Sequence, residues 1–145
     1  METRAAVAAK ARTHAWHDHT SEVELALRAE SFPGLLEEAG LALRELLSSA
    51  VPSAPAEAVR RVEVTAVDRD ALLVDWLNEL LYLAETASAV PVAVTVTETS
   101  ATHCTAEVAW APVAVAPSLV KAATLHGLAV REEDGGWAAE VIFDV

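Results

Sequence analysis

Two polar segments near the ends of the chain, together with one acidic residue, contain the side chains most able to do chemistry. The first segment, residues 17–23, reads His-Asp-His-Thr-Ser-Glu-Val, and the second, residues 121–128, reads Lys-Ala-Ala-Thr-Leu-His-Gly-Leu. Asp144 follows the apolar run 141–143 as the penultimate residue. Polar groups placed among apolar strand residues cost free energy unless they find partners. These residues are therefore the candidates for a site.

In the first segment, imidazole and carboxylate groups lie close together, as metal ligands often do. Carboxylates favour hard cations such as calcium or magnesium, whereas imidazole favours zinc. The spacing matches no specific zinc motif, and a polar turn before the first long strand is the competing interpretation. If the last strand pairs beside Glu22, the carboxylates of Glu22 and Asp144 converge and repel each other without a cation. The alternative for Asp144 is a charge at a chain end, where charge is tolerated.

In the second segment, Thr124 and His126 would share one face of a strand, and Lys121 precedes them. A lone histidine in such a strand is more often a hydrogen-bonded structural residue than a catalytic one. An enzyme that uses His19 or His126 with a carboxylate is a further hypothesis. The chain has no Gly-x-Ser-x-Gly elbow, no glycine-rich phosphate loop and no convincing catalytic triad.

Length and composition indicate one domain with an aliphatic core. The 145 residues fit a single domain, and the net charge of −12 argues against direct nucleic-acid binding, which needs a basic surface. The single Cys104 excludes an internal disulfide, which suits a reducing cytoplasm, and we expect it to be a small buried hydrophobe. Residues 1–12 are expected to form a flexible N-terminal tail and residues 13–145 the domain. No apolar stretch approaches the ~20 residues needed to span a bilayer.

Hydrophobic spacing predicts an α+β domain in which two helices pack on mostly antiparallel strands. Alternation of apolar and polar residues with a period of two is typical of a strand with one buried face. Asp134-Gly135-Gly136 is expected to be a tight turn between the last two strands. The expected strands cover residues 23–28, 62–66, 91–97, 103–110, 120–131 and 137–145.

Two stretches have helical spacing. The first begins after Ser31, a residue able to cap a helix, with Pro33 tolerated in the first turn. The second begins after Asp68 or Asp70. Its apolar face is formed by Leu73, Trp76, Leu77, Leu80, Leu81 and Ala84, and its polar residues Asp75, Asn78, Glu79 and Glu85 lie mostly elsewhere on the helical wheel.

These segments resemble motifs of the archease family. Residues 19–23, His-Thr-Ser-Glu-Val, stand where the family has His-Thr-Ala-Asp-Val. Residues 72–83 are similar to its Leu-Leu-x-x-Trp-Leu-x-Glu-Leu-Leu-Tyr-Leu helix, and residues 120–128 are similar to its Val-Lys-Ala-x-Thr-x-His-Gly-Leu segment. The resemblance runs from about Trp16 to the C-terminus, with weak stretches at 48–60 and 86–118.

The resemblance implies an accessory protein of an RtcB-type RNA-splicing (tRNA) ligase that promotes guanylylation and multiple turnover of the ligase. It also implies a bound divalent cation, with calcium expected. By position, the cation ligands would be Glu22 and Asp144, with a main-chain carbonyl of Val145 or Phe143 as a helper. His19, Lys121 and His126 are further candidates for a functional role.

The chain departs from the family pattern at two positions. Glu22 replaces the usual aspartate, which moves the carboxylate outward by one methylene, and Leu119 stands where many members have an acidic residue. Calcium tolerates the first change better than magnesium does, because its coordination is more flexible. The loss of a ligand charge should weaken cation binding. The alternative function is therefore a divergent binding or chaperone-like module of the same fold that has lost ligase activation.

Overall fold

The computed structural model describes residues 12–47, 56, 58–113, 122–124 and 129–144, with His19 described by its backbone. These residues form two helices and eight strands. In chain order they are β1 (Arg12–His19), β2 (Glu22–Ala29), α1 (Phe32–Leu47), β3 (Ala58–Thr65), α2 (Arg69–Ala87), β4 (Ala89–Thr99), β5 (His103–Pro112), β6 (Ala123–Thr124), β7 (Arg131–Glu133) and β8 (Gly136–Asp144).

The strands of the described part form two antiparallel sheets. The first has the order β1-β2-β8-β6, with β7 also paired to β8, and the second has the order β3-β5-β4. Helix α1 packs on β1, β2 and β8 of the first sheet and on β4 of the second, and α2 packs on β3, β4, β5 and β6. The expected α+β class, with two helices on antiparallel strands, is confirmed.

The core lies between the sheets and the helices because each element presents an apolar face there. Strand β2 buries Leu25 and Leu27, and Val141 and Phe143 on the same face of β8 are also fully buried. The predicted face of α2 is buried, and the Trp76 indole Nε1 donates a buried hydrogen bond of 2.8 Å to the Leu36 carbonyl oxygen of α1. This contact ties the two helices together across the core.

Both helices begin after capping residues that the sequence predicts. Ser31 Oγ accepts a hydrogen bond from the Gly34 amide at 3.1 Å, and Asp68 Oδ1 accepts one from the Ala71 amide at 2.8 Å. Of the two expected candidates, Asp68 is therefore the cap of α2. Asp70 instead accepts a hydrogen bond of 2.9 Å from the Val130 amide. Its side chain thus links the start of α2 to the segment before β7.

The tight turn between the last two strands and the burial of the cysteine are also as the sequence predicts. Asp134 (φ 53°) and Gly135 (φ 78°) adopt the left-handed conformations that a tight turn requires, and they join β7 to β8. Cys104 is fully buried in β5, and burial raises the pKa of its thiol to about 12, with a smaller contribution from the charge of Glu37. The thiol is thus protonated at neutral pH, as expected for a core residue.

Three strand predictions need correction. Strand β1 was not expected, because residues 12–19 carry too many polar side chains to show an apolar face. The expected strand 120–131 is not one continuous strand. In its described part, residues 123–124 form β6, Arg131 begins β7, and residues 129–130 belong to neither. Strand β4 begins before Pro91, at Ala89, and its register with β5 shifts between Pro91 and Ala93. The serine- and proline-rich stretch 48–55, which the sequence predicts to be a loop after the first helix, lies outside the described residues.

Polar residues of β1 that face inward are paired with α1. Arg12 Nη1 lies 3.1 Å from Glu37 Oε1, and His14 contacts Glu38 through Nδ1 and Glu45 through Nε2. An imidazole that donates to carboxylates from both nitrogens must carry two protons, so this arrangement is that of the imidazolium. Partial burial lowers the pKa of His14, but its hydrogen bonds to Glu38 and Glu45 outweigh burial and raise the pKa overall.

We predict that His14 makes stability depend on pH. Because its folded-state pKa is raised above the unfolded value of about 6.5, its contribution is fully present below that pH. The contribution is lost as the pH rises through the folded-state pKa. His14→Gln should remove this dependence and cost about 1 kcal/mol or less at pH 6, since the pairs are partly exposed. Urea unfolding from pH 5.5 to 9 measures it.

The control is His17→Gln, which changes an exposed histidine of the same strand. This variant should keep the pH dependence of the wild-type protein. Equal curves for His14→Gln and the wild type would contradict the prediction.

Candidate functional site

Strand β8, near the end of the chain, lies beside β2. Strands β2 and β8 are antiparallel neighbours over eight residue pairs, and their register places Glu22 directly opposite Asp144. Directly opposed residues of antiparallel strands have Cβ atoms about 4.5–5.5 Å apart and share a face of the sheet. Carboxylates from the two ends of the chain therefore meet at one corner of the first sheet.

The alternation of inward and outward side chains along β2 and β8 determines on which face of the sheet the two carboxylates lie. Val23 and Leu25 of β2, and Phe143 of β8, point toward the core, so Glu22 and Asp144 point to the outer face of the sheet. Asp144 is exposed and Glu22 is half-buried. Among the residues that the structure describes, neither carboxylate has an ion pair with a lysine or arginine. Two like charges in this arrangement repel each other.

The neighbouring strand β1 adds to this corner. His19 is the register partner of Glu22, and His17 is the register partner of Glu24. Glu24 lies two residues from Glu22 on the same strand, and therefore on the same outer face. Sequence reasoning did not single out Glu24. The alternation of Glu22 and Glu24 with apolar residues was the signal that could have identified it.

On the other side, β6 holds the end of the terminal strand. The Asp144 amide donates a hydrogen bond of 3.1 Å to the Ala122 carbonyl oxygen, and Ala123 is the register partner of Phe143. Asn78 of α2, which the sequence placed on a polar face, is half-buried and hydrogen-bonded to the backbone of Ala123. Asp144 is thus flanked by β2 and β6.

Three of the expected site residues, Lys121, His126 and Val145, lie outside the described residues. Leu119, one of the two positions that depart from the family pattern, also lies outside them. Ala122 to Thr124 show that part of the second polar segment runs beside β8. The structure therefore brings the end of the first segment, residues 122–124 of the second and Asp144 to one corner of the first sheet.

The donor set suits a hard cation. Glu22 and Asp144 offer up to four carboxylate oxygens, whereas Ca²⁺ takes 6–8 oxygen ligands, so further ligands must complete a site. In the described part of the chain, no group of three or more histidine, cysteine, aspartate or glutamate side chains is arranged to hold a metal ion. The facing carboxylates fit two ligands of a calcium site, and the rest of the ligand set stays a prediction.

Neither described helix, α1 or α2, is both long and apolar enough to cross a membrane.

Comparisons with known proteins give one consistent result. The model of the archease protein family matches residues 15–145. A protein archease from Methanosarcina mazei is 28% identical over 136 residues, which cover 88% of this chain and 92% of that protein. A protein archease from Methanothermobacter thermautotrophicus is 33% identical over 117 residues, covering 77% of this chain and 83% of that protein. The solution structure of Methanobacterium thermoautotrophicum protein 1598 has a TM-score of 0.71 at 29% identity, covering 94% of this chain and 99% of that one.

We predict that Glu22→Gln stabilises the cation-free protein at pH 7. The substitution removes a like-charge pair on facing strands, which is worth about 0.2–1 kcal/mol. Thermal unfolding in a chelator at low ionic strength measures the effect. Glu79→Gln is the control, since it changes the net charge equally at an exposed position of α2. An equal gain in both variants would show that net charge, rather than the pair, is responsible.

Proposed function

Because this chain belongs to the archease family, we propose that it is an accessory protein of an RtcB-type RNA-splicing (tRNA) ligase and promotes guanylylation and turnover of the ligase. The facing carboxylates of Glu22 and Asp144 are the observation that supports the proposal. They lie on an outer sheet face, at a corner that a partner protein can reach. On this proposal the protein acts in the cytoplasm and is not itself an enzyme.

The ligase is a protein partner, and the surface charge fits that role. The net charge of −12 disfavours direct binding to RNA phosphates, since such binding draws on clustered lysine and arginine side chains. The same charge favours a partner with a basic surface, and proteins that bind RNA carry such surfaces. The accessory protein would therefore engage the ligase itself.

A divalent cation, calcium in this proposal, would be held by Glu22 and Asp144 with a main-chain carbonyl of Val145. When bound, such a cation supplies positive charge that can interact with phosphate oxygens. The chain's own contribution is to hold two carboxylates in register on neighbouring strands, so that binding need not order them. Glu22 is longer than the aspartate of the family pattern, and the flexible coordination of calcium accommodates this.

A second candidate is a binding module of the same fold that has lost ligase activation. The observation that favours it is the sequence itself, because Glu22 and Leu119 both depart from the family pattern. Both candidates share the fold and differ in whether the chain stimulates a ligase.

We predict that the wild-type protein binds Ca²⁺ and that Glu22→Gln and Asp144→Asn each weaken binding at least tenfold. Each substitution keeps the size of the side chain and removes one ligand charge. Isothermal titration calorimetry with CaCl₂ and then MnCl₂ measures the affinity, and Glu79→Gln, at an exposed position of α2, should bind as the wild type does. Negligible binding by the wild type, or equal binding by all variants, would refute the cation part of the proposal.

We predict that the wild-type protein increases the rate at which an RtcB-type ligase from the same genome becomes guanylylated, and the number of RNA joining events per ligase. Asp144→Asn should lose most of the stimulation, and Glu79→Gln should retain it. Labelled GMP bound to the ligase and multiple-turnover RNA ligation are the two measurements. If the wild type gives no stimulation but still binds Ca²⁺, the second candidate replaces the first.

A further inference from the structure

Asn78 lies in the middle of α2 and bonds to a strand rather than to its own helix. Its Nδ2 donates a hydrogen bond of 3.2 Å to the Ala123 carbonyl oxygen, and its Oδ1 accepts one of 2.8 Å from the Ala123 amide. A side-chain amide has a donor and an acceptor side by side, as a peptide group does. Asn78 therefore satisfies both main-chain groups of one residue of β6.

Strand β6 needs such support because it stands at an edge of the first sheet in the described part of the chain. Its pairing partner there is β8, and Ala123 is 2% exposed. Buried backbone groups without a hydrogen-bond partner are costly, because they have lost their bonds to water. The amide of Asn78 provides the partners that a central strand would find in a second neighbouring strand.

The contacts continue from β6 to the candidate site. Asn78 is hydrogen-bonded to Ala123. The carbonyl oxygen of the adjacent Ala122 accepts a hydrogen bond from the Asp144 amide. Asp144 of β8 is in turn the register partner of Glu22 of β2. The last described residue of β8 is thus fixed through β6 to the middle of α2. Asn78 lies two residues from Trp76, which is itself fixed in the core by its bond to Leu36.

We propose that Asn78 is a positioning residue: by docking β6 on α2, it sets the place of Asp144 beside Glu22. This inference rests on the proposed function only where it concerns cation binding and ligase activation. Asparagine is a weaker helix former than leucine or alanine, so its presence in the middle of a long helix has its reason in the bonds to Ala123. The paired bonds also bring Ala123, a residue of the second polar segment, against the helix.

Two substitutions separate the parts of this contact. Asn78→Asp keeps an acceptor for the Ala123 amide but has no donor for the Ala123 carbonyl oxygen at neutral pH. Asn78→Leu removes both bonds while preserving much of the volume. Asp75→Asn, at an exposed position one turn earlier in α2, is the matched control.

The first measurement is amide hydrogen exchange by NMR, which needs neither cation nor ligase. We expect protection of the Ala123 and Asp144 amides to fall at least tenfold in Asn78→Leu and by a smaller factor in Asn78→Asp. Protection of the Trp76 amide, within α2, should stay unchanged in both. Wild-type exchange at Asp144 in both variants would overturn the proposal, and if Asn78→Leu fails to fold, Asn78→Asp decides.

The second measurement is calcium affinity, which a general loss of stability would not change in a protein that remains folded. We expect the dissociation constant to rise at least threefold in Asn78→Leu, less in Asn78→Asp, and not at all in Asp75→Asn. A lowered melting temperature with unchanged affinity would show that Asn78 is merely structural. If the wild type itself does not bind Ca²⁺, the proposed function fails, whereas the exchange experiment still decides the role of Asn78.

Discussion

The antiparallel pairing of β8 with β2 organises both the core and the candidate site. It joins the end of the chain to β2, and its register sets which residues face the core and which face outward. A shift of β8 by one residue would turn Val141 and Phe143 outward and Asp144 inward. The same register that closes the core therefore also creates the acidic corner.

The energetic balance of this pairing favours the core. Each large apolar side chain that is fully buried contributes about 1.5–3 kcal/mol, and Leu25, Leu27, Val141 and Phe143 are all fully buried. The repulsion between opposed carboxylates is about 0.2–1 kcal/mol. The fold can thus hold Glu22 and Asp144 on neighbouring strands without a cation. On the proposed function, a cation would find the backbone of both ligands already fixed.

Much of this arrangement follows from the sequence, for identifiable reasons. Helix α2 has a long apolar face with a capping aspartate, and the turn at Asp134 and Gly135 needs residues that accept positive φ, so both were predictable. The position of Asp144 beside Glu22 was a conditional expectation from the residues, since strand order is a long-range property that local patterns do not specify. The resemblance to a known family made that expectation definite.

The missed features share a physical cause, which is that polar side chains pair with partners far away in the chain. The inward face of strand β1 is not apolar, because Arg12 and His14 on this face are paired with carboxylates of α1, more than twenty residues later in the chain. The strand therefore has no apolar pattern from which it could be predicted. Asn78 has the pattern of a surface residue of a helix, because the residue that it bonds to, Ala123, is 45 residues away in the chain. No helical-wheel or alternation argument contains such pairs.

The proposed function requires Glu22 and Asp144 to bind one cation together. Paramagnetic Mn²⁺, which oxygen ligands bind, broadens NMR signals of nearby nuclei and so locates the site directly. With substoichiometric Mn²⁺, we expect selective broadening of the Glu22, Phe143 and Asp144 amides, while β3 and β5 of the second sheet remain sharp. Broadening centred elsewhere, or none at a corner with both carboxylates intact, would show that these two residues do not share a cation.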